Sequence, residues 1–317
     1  MKRIILLLMI AFVATVYSHA QQIAVVSTDG ATSLYQTLGE AINGASAGSV
    51  IYLPGGGFPI SDDVKITKKL TIIGIGHKIM TDNADGYTTI SGNLFFNEGS
   101  DGSAVMGAYI TGNVKIGDDG NKVDNVLVRY CNLNQFVSSS KCLGIVVNQN
   151  YIRDSAHFGS GPAVFTNNIT NYVRDLDNGT IANNIFVGRY YGSSINICDN
   201  CSIKYNVLGA GIDGSNNFAD GNMAPGIFFN DPDGIDINNI AWTDIFVNPD
   251  GVKPTSNYHF KGDYVQYENQ VGIYGGTGFS DSALPPVPYI SAKRIDEQTD
   301  AAGNLTIKIR VKAGGEE

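Results

Sequence analysis

Positive charge is scarce in this sequence. Its 317 residues include 21 Lys and Arg against 30 Asp and Glu, which gives a formal net charge of −9. Nucleic acids and anionic membrane surfaces are bound through clustered Lys and Arg. The acidic balance therefore predicts neither nucleic acid nor an anionic membrane surface as a partner.

Long apolar runs are also absent, with one short exception near the N-terminus. Ile4–Val16 is uncharged and follows a Lys-Arg pair, but it is shorter than the roughly 18–20 residues that span a bilayer. Small residues then precede Gln21 at positions −3 and −1, so residues 1–20 are predicted to be a secretory signal peptide rather than a short buried helix. No Cys stands directly after the predicted cleavage site before Gln21, which argues against a lipoprotein anchor. We predict a secreted protein, periplasmic or extracellular at the cell surface, with no transmembrane anchor.

Cysteine is rare, with four residues in the chain. In an exported protein, disulfides or inert thiols are the first interpretation. Cys198 and Cys201 also have the spacing of half a zinc site or a redox pair. Cys131 and Cys142 are too far apart in the sequence to supply the other half, so structural disulfides or inert thiols are favoured.

What the sequence does contain is a repeat. Glycine is abundant, with 38 residues, and several short apolar runs are each interrupted by an asparagine that precedes another apolar residue. Such fixed-period similarity is typical of solenoids. The intervals between these asparagines are 18, 18, 16, 22 and 33 residues, and the asparagines are Asn132, Asn150, Asn168, Asn184, Asn206 and Asn239.

Each repeat unit is too short for a hairpin plus a helix and shows no helical period. The pattern predicts one rung of a coil built from short strands and tight turns, with rungs stacked in parallel about 4.8 Å apart. Asparagine tolerates left-handed turns, and stacked amides bond to one another, so the repeated Asn side chains are interpreted as scaffold. In VVNQNYIRDSAHF, Val146 and Ile152 are expected to point inward. The length predicts about ten coils.

Both ends of the coil are predicted to be capped. Residues 32–44 carry an apolar helical face, with Ser33 and Gln36 as a capping box, so a helix is expected there. At the other end, residues 289–317 read as two strands around a turn, the second half-buried, which would close the open edge. The alternative is a small separate module. The predicted division is a signal peptide (1–20), a β-helix domain (21–288) and a C-terminal strand cap (289–317).

The order of these parts resembles the secreted right-handed parallel β-helix proteins of pectate-lyase-like architecture. The resemblance rests on SLYQTLGEAINGA, SVIYLPGGGF, GIGHK and the Asn-bearing rungs, and it covers most of residues 30–290. The stretch TDIFVNPDG…SNYHFKGD…VGIYGGTGF resembles the last turns of cell-surface β-helix proteins of Bacteroidetes. The resemblance implies an all-β, single-stranded right-handed parallel β-helix (solenoid), with an N-terminal capping helix and a C-terminal β-strand cap.

Many members of that superfamily cleave or bind acidic polysaccharides, but the acid and base motifs of the polygalacturonase-like and pectate lyase members are missing from this chain. What stacks beside the asparagines is therefore the remaining guide to function. The segment at Arg153 and Asp154 is echoed 21 residues later at Arg174 and Asp175. If these residues lie on neighbouring rungs, the arginines form a basic column that pairs with uronic acid carboxylates. The predicted glycan-binding set is Arg153, Asp154, Arg174, Asp175, Arg189, Tyr190 and Tyr191.

Two alternatives to glycan binding stay open for these residues. Arg and Asp on adjacent rungs can simply neutralise one another as a surface salt-bridge ladder. In an enzyme, Arg153, Arg174 and Asp175 would be the weak catalytic candidates, because an Arg beside a metal-held carboxylate can serve a β-eliminating lyase. His157 is interpreted as a polar surface residue.

A second, Asp-rich stretch follows at NDPDGIDIN. Asp231, Asp233 and Asp236 are weak calcium candidates, because Asp-rich loops bind calcium through oxygen ligands. Ordinary turns use the same residues. No other cofactor is predicted.

The sequence favours a non-catalytic secreted protein that presents an elongated surface to a polysaccharide or a cell-surface glycan. The first alternative is a polysaccharide lyase or glycoside hydrolase acting on uronate-containing polymers. The second is a structural envelope protein or adhesin.

Overall fold

The computed structural model describes residues 22–78, 86–117, 121–225, 234–235, 239–282, 284–295 and 307–312. Its strands are β1 (Ile23–Val26), β2 (Thr32–Tyr35), β3 (Val50–Tyr52), β4 (Gly56–Pro59), β5 (Lys65–Ile66), β6 (Thr71–Ile73), β7 (Thr88–Ser91), β8 (Leu94–Phe96), β9 (Ala104–Met106), β10 (Tyr109–Ile110), β11 (Val114–Ile116), β12 (Leu127–Arg129), β13 (Asn132–Leu133), β14 (Phe136–Ser138), β15 (Ile145–Asn148), β16 (Tyr151–Gly161), β17 (Ala163–Thr166), β18 (Ile169–Leu176), β19 (Thr180–Ala182), β20 (Ile185–Phe186), β21 (Ser193–Asn196), β22 (Ser202–Lys204), β23 (Val207–Leu208), β24 (Gly211–Ile212), β25 (Phe218–Asp220), β26 (Phe246–Asn248), β27 (Asn257–Phe260), β28 (Tyr289–Ile295) and β29 (Ile307–Lys312). The helices are α1 (Leu38–Gly44), α2 (Trp242–Ile245) and a 3₁₀ helix, Gly262–Tyr267.

These strands build a coil with three faces. An eleven-stranded sheet, in the order β2-β1-β3-β6-β9-β12-β15-β17-β19-β22-β25, forms the first face. A 14-stranded sheet forms the other two: the second face passes through β4, β7, β10 and β13, and the third through β5, β8, β11 and β14. The long strands β16 and β18 belong to both, after which the second face continues in β20 and β23 and the third in β21 and β24. The result is a parallel β-solenoid of about 8 turns, which confirms the predicted all-β parallel β-helix.

The core is made of the inward side chains of each rung. Because successive residues of a strand point to opposite faces, every second residue of a strand points toward the axis of the coil. In β15 these residues are Ile145 and Val147, so Val146 does not point inward as predicted, whereas Ile152 does. One stacked column of the first face, fully buried throughout, is Ile51, Ile72, Val105, Val128, Val147, Phe165, Ile181 and Ile203.

An amide ladder runs along the turn between the first and second faces. The Nδ2 of each asparagine donates to the Oδ1 of the next at 3.0–3.1 Å, and the members are Asn150, Asn168, Asn184, Asn206 and Asn222. Four of the six predicted positions are therefore confirmed. Asn132 is wrong because Cys131 occupies the ladder place and donates its N–H to Asn150 Oδ1 at 2.9 Å. Asn239 is also wrong, since it is exposed and the ladder continues at Asn222.

The N-terminal helix is shorter than expected. Residues 32–35 form strand β2, which pairs antiparallel with β1, and the helix begins only at Leu38. Its capping box consists of Thr37 and Glu40, not Ser33 and Gln36. Pairing with β1 holds residues 32–35 in a strand, while the buried helical face at Leu38, Ala41 and Ile42 matches the expectation.

The segment expected to form the last turns of the coil instead runs along its outside. β26 and β27 pair antiparallel with each other, and residues 257–282, here called the strap, cross the second face. A second apolar core lies between the second face of the coil and the segment that covers it. The coil contributes the outward column Tyr151, Ile169, Ile185, Val207 and Met223. The strap and the residues just before it contribute Ile245, Phe246, Tyr258, Phe260, Val271, Ile273 and Phe279. This reversal explains why the coil has about 8 turns instead of about ten.

Hydrogen bonds fix the strap to successive rungs. Gly272 N donates to Tyr205 O at 2.7 Å, and Asn183 Nδ2 donates to Gln270 O at 2.7 Å. Asn167 Nδ2 then donates to the carbonyl oxygens of Ile273 and Gly275 at 2.8 and 2.7 Å. The chain therefore passes backward along the coil, from later rungs to earlier ones.

The C-terminal strands form a hairpin of their own. β28 and β29 pair antiparallel in a two-stranded sheet, and every residue of β29 is exposed. The prediction that the second strand is half-buried is wrong, because its alternating apolar residues are all exposed. Its role as a cap of the coil stays a prediction. The domain division at residue 288 stays a prediction.

The four cysteines are free and buried. Burial raises the pKa of the Cys131 and Cys198 thiols to about 12, so they are unreactive near neutral pH. No disulfide forms among these four cysteines, so inert thiols are the favoured interpretation that is left. Within the described ranges, no helix is long and apolar enough to cross a membrane.

Candidate functional site

The predicted column of three arginines does not form. The register between β16 and β18 shifts between Ile152 and Ser155, where β16 holds one more residue than β18. Arg153 falls within this bulge, and its carbonyl oxygen accepts a hydrogen bond from Asn171 Nδ2 at 3.0 Å. Arg153 and Arg174 therefore lie on neighbouring rungs but are not stacked on one another, because the sequence echo aligned different positions of the two rungs and His157 is the residue that pairs with Arg174.

Arg153 instead ties together earlier rungs of the second face. Its Nη1 donates to Asn132 Oδ1 at 2.7 Å, and its Nη2 donates to the carbonyl oxygens of Ile110 and Thr111 at 3.0 and 2.9 Å. The guanidinium also lies 4.8 Å from the ring centre of Tyr109. With its donors engaged in this way, Arg153 is a structural residue.

Arg174 faces His157, which the sequence predicted to be only a polar surface residue. The two residues pair in register on the third face, and Arg174 Nη2 lies 3.1 Å from His157 Nδ1. A guanidinium has donors and no acceptor, so Nδ1 must be the acceptor and the ring proton must be on Nε2. Nε2 lies 3.2 Å from Ser155 Oγ, which can accept a hydrogen bond from the Nε2–H group.

This contact holds His157 in its neutral form. Burial lowers the pKa of His157, and the charge of Arg174 lowers it further, against the opposing effects of Asp175 and Asp154. A protonated ring would present Nδ1–H to the donor of Arg174, which agrees with that direction. The imidazole is therefore neutral at physiological pH, with its lone pair bound to Arg174.

The remaining charged residues of the predicted set lie around this pair. Asp175 Oδ2 is 3.5 Å from Arg174 Nε. Asp154 Oδ2 accepts a hydrogen bond from Gln135 Nε2 at 2.7 Å. Arg189 is exposed. Asp154 and Asp175 thus lie beside the pair, and the salt-bridge interpretation holds only for Arg174 and Asp175.

A tight turn lifts two tyrosines off the third face. Tyr190 and Ser193 exchange two backbone hydrogen bonds, of 2.8 and 3.0 Å. The two residues between them, Tyr191 and Gly192, have φ angles of 45° and 97°. Positive φ at both central positions is the geometry of tight hairpin turns. It leaves Tyr191 88% exposed at the tip.

The tyrosines form a continuous platform beside Arg174. The Tyr172 and Tyr190 rings are stacked, with centres 5.1 Å apart and planes at 25°. The Tyr191 ring meets Tyr190 edge to face, with centres 4.4 Å apart. The Arg174 guanidinium lies 5.1 Å from the Tyr190 ring centre. Tyr190, Tyr191, Arg174 and Asp175 are therefore brought together as predicted, with His157 and Tyr172 added; we call this set the Arg174–tyrosine site.

The Arg174–tyrosine site belongs to a longer outward column of the third face. Parallel register places one side chain per rung, at a repeat of about 4.8 Å. The column carries positive charge in its earlier part and ends in a carboxylate. Its members are Lys65, Phe95, Lys115, Val137, His157, Arg174 and Asn196, and Asn196 Nδ2 contacts Asp213 Oδ2 at 3.3 Å.

A second ionisable cluster lies on the strap. His259 Nδ1 is 2.5 Å from Glu268 Oε1, and its Nε2 is 2.9 Å from Asp281 Oδ2. Ionised carboxylates only accept, so both ring nitrogens carry protons and His259 is a cation. Burial lowers the pKa of His259, but the hydrogen bonds and charges of Glu268 and Asp281 outweigh it and raise that pKa above its ordinary value. Tyr274 stacks on the ring at 4.0 Å and donates its hydroxyl to Asp281.

This cluster borders two residues of the coil, the buried His77 and the partly buried Lys78. Burial lowers the pKa of Lys78, with the charge of Asp281 opposing it. Burial also lowers the pKa of His77 to about 3, and Lys78 adds to the effect. His77 packs edge to face against Tyr151, which in turn packs against Phe279 of the strap. The cluster therefore fastens the tip of the strap to the coil.

Sequence reasoning missed both histidine contacts for different reasons. The period of the third face could have placed His157 one rung from Arg174, had the extra residue in β16 been recognised. For His259, Glu268 and Asp281, spaced over 22 residues, no local pattern exists. Their approach depends on the path of the strap.

The predicted calcium candidates Asp231, Asp233 and Asp236 lie outside the described residues. Among the residues that the structure describes, no group of three or more His, Cys, Asp or Glu converges on a metal-binding geometry. A calcium site in that loop stays a prediction.

Comparison with known proteins adds no relative. No protein-family model, curated protein or solved structure matches the chain. The parallel β-helix implied by the resemblance is observed, whereas membership of the pectate-lyase-like superfamily stays a prediction. The function is therefore inferred from the fold and from the Arg174–tyrosine site.

Proposed function

We propose that this protein is a non-catalytic, secreted β-helix that binds glycans on its third face. The observation that carries the proposal is the platform of Tyr172, Tyr190 and Tyr191 beside Arg174, in which Tyr191 is exposed and the other two tyrosines are partly exposed. Aromatic rings with a polar tip supply a large contact area and a hydrogen-bonding hydroxyl at low entropic cost. The apolar faces of pyranose rings pack on such rings.

The direction of the column supports an elongated ligand. One rung advances about 4.8 Å along the axis, which is close to the length of one sugar residue in an extended chain. A polysaccharide aligned with the coil would meet one outward side chain for each sugar. Lys115 and Arg174 lie in that column, so negatively charged glycans are favoured over neutral ones.

The state of His157 supports binding over catalysis. A general base requires a lone pair within reach of the proton that it removes. Here Nδ1 faces Arg174 and Nε2 carries the proton, so neither nitrogen is ready to act as a base. A polysaccharide lyase or hydrolase is the alternative that the test below must distinguish.

The proposal also places the protein outside the cytoplasm, at the cell surface or in the periplasm. It is supported by the signal-peptide pattern of residues 1–20. A structural envelope role without glycan affinity is the remaining alternative.

The test is calorimetric titration of the purified protein with neutral and uronate-containing oligosaccharides, in the presence of calcium. The double variant Tyr190→Ala/Tyr191→Ala is expected to bind at least about tenfold more weakly, because buried aromatic anchors carry about 1–2 kcal/mol or more of binding energy. The matched control is Tyr52→Ala, which removes an exposed tyrosine of the first face and should bind normally.

Two results would contradict the proposal. Absence of binding to every glycan would favour the structural role. Release of unsaturated sugars from uronate polymers, followed by ultraviolet absorbance and abolished in Arg174→Ala, would favour the lyase.

A further inference from the structure

Arg174 and His157 are arranged so that the charge of one limits the charge of the other. Arg174 Nη2 donates to His157 Nδ1 at 3.1 Å, and Arg174 Nε is buried against Asp175. The guanidinium keeps its ionised form at all relevant pH values. The histidine is therefore the partner that gives up its proton in the free protein.

The charged and titratable groups around His157 come from three elements. β16 contributes Asp154, β18 contributes Tyr172, Arg174 and Asp175, and the turn after β20 contributes Tyr190. From β14, the residue paired with His157 is Val137, which is apolar. Neither carboxylate is hydrogen-bonded to the imidazole, so Arg174 is the only charged group in direct hydrogen-bonding contact with it among the described residues.

We infer that Arg174 and His157 form a proton-linked site for an anionic substituent of the sugar, a carboxylate or a sulfate. The anion replaces Nδ1 as the acceptor of the Arg174 guanidinium, so the hydrogen bond between Arg174 and His157 breaks. The charge of the anion offsets that of the guanidinium, His157 takes up one proton from solvent on Nδ1, and the imidazolium then donates to the same anion. This inference rests on the proposed glycan function and adds to it a specificity-determining residue, His157.

The consequence is a pH dependence that separates charged from neutral ligands. When binding takes up one proton, affinity rises as pH falls, by at most about tenfold per pH unit. A neutral sugar offers no charge to offset Arg174 and leaves His157 unprotonated. Carboxylates and sulfates of sugars remain ionised from about pH 5 to about pH 8, where histidines titrate, so the linkage reports on the protein.

The experiment is calorimetric titration at several pH values from about 5 to about 8, in two buffers that differ in their enthalpy of protonation. The three ligand arms are a uronate oligomer, a sulfated oligomer and a neutral glucose oligomer of equal length. Uptake of up to one proton is expected with an anionic oligomer and none with the neutral one. The arm with the larger uptake identifies the anion that the site accepts.

The variant His157→Gln keeps an amide that can contact Arg174 but cannot titrate. It is expected to bind the anionic oligomer with an affinity that no longer changes with pH. The control His259→Gln removes the other titrating histidine of the described surface and should keep the pH dependence. If His157 had only a structural role, the variant His157→Gln would show the same proton uptake as the wild type.

The outcomes separate the two proposals. If an anionic oligomer binds with the same affinity at every pH and without proton uptake, the linkage is wrong and glycan binding stands. If His157→Gln keeps the wild-type pH dependence, the assignment to His157 is wrong. If none of the oligomers binds, the proposed function fails and the inference fails with it.

Discussion

Two histidines of this molecule are held in opposite charge states by the side chains that contact them. On the coil, His157 contacts a guanidinium, which accepts nothing, and is neutral. On the strap, His259 contacts two carboxylates, which donate nothing, and is a cation. Both rings are partly exposed, so their exposure does not account for the opposite charge states. The hydrogen-bonding groups that contact each ring decide its protonation.

The two regions also differ in how they bring polar groups together. On the coil, parallel register stacks the residue of one rung on that of the next, so contacts repeat at a fixed step. On the strap, the contacts of His259, Glu268 and Asp281 arise once, through the path of a single segment. Substitutions in the coil should therefore affect stability through the stack, and those in the strap should act locally.

The largest expected effect comes from breaking the stack of the coil. In Asn184→Ala, Asn168 loses the acceptor of its buried backbone N–H and of its side-chain amide, and two carbonyl oxygens lose a donor. A buried group left without a partner costs about 1–3 kcal/mol, so we expect a loss of about 3 kcal/mol or more in the free energy of unfolding. Denaturant titration followed by circular dichroism measures it.

The matched control for that variant is Asn239→Gly. Asn239 is exposed, has a φ of 66° that glycine accepts, and lies outside the ladder. Its replacement should change stability by less than about 0.5 kcal/mol. An equal loss in both variants would show that the amide ladder has no special role in the coil.

The next effect tests the strap. His259 has a raised pKa in the folded protein, so the stability it contributes is complete below its unfolded value of about 6.5 and is lost as pH rises through the folded pKa. In His259→Gln, we expect a loss of about 1 kcal/mol at pH values near 5, since the ring is partly exposed, and little loss at high pH. Thermal unfolding across pH measures the difference.

The matched control here is Lys253→Gln, which removes an exposed ion pair with Asp250. Its effect on stability should be near zero. If His259→Gln destabilised the protein equally at every pH, the ring would serve only as packing against Tyr274.

The smallest effect concerns the coil histidine and has the opposite sign with pH. His157 has a lowered pKa in the folded protein, so the unfolded chain binds more protons, and stability falls as pH drops through the unfolded value of about 6.5. In His157→Gln, this acid-side loss should shrink by less than about 1 kcal/mol, with no change at neutral pH. Acid titrations of His157→Gln and His259→Gln, run in parallel, measure both effects. If both variants lost stability at acid pH, the opposite charge states assigned to the two histidines would be wrong.

The fold could be predicted because its dominant signal is local and repeated. The asparagine period identified the coil and four of its ladder positions, since each rung must supply the same amide at the same turn. The period failed at Asn132, where Cys131 holds the ladder place, and at Asn222, which precedes a long insertion. Asn132 precedes Asn150 by a regular interval, which concealed that the ladder place is one residue earlier, and Asn222 follows Asn206 at a regular interval but was passed over for Asn239.

The candidate site could be predicted only in part. Tyr190, Tyr191 and Arg174 were identified from residue type and proximity in the sequence, but Arg153 lies in the bulge of β16 beside Asn171, and the shifted register places His157 opposite Arg174. A single inserted residue changes every pairing that follows it, and sequence alone does not show where it is accommodated. The strap cluster depends on contacts between residues far apart in the chain, which no local period encodes.

The backward path of the strap has a consequence for how the molecule comes apart. In a simple solenoid each rung touches only its neighbours, so the coil can unravel from its last rung inward. Here the rungs of Tyr205, Asn183 and Asn167 are joined by one late segment, which ends against Tyr151. That segment can dock only after these rungs exist, and it must leave before they can peel away. Docking of the strap is thus expected to be the last step of folding, and its release the first step of unfolding. The strap would therefore raise the barrier to unfolding of a coil whose rungs would otherwise open one at a time.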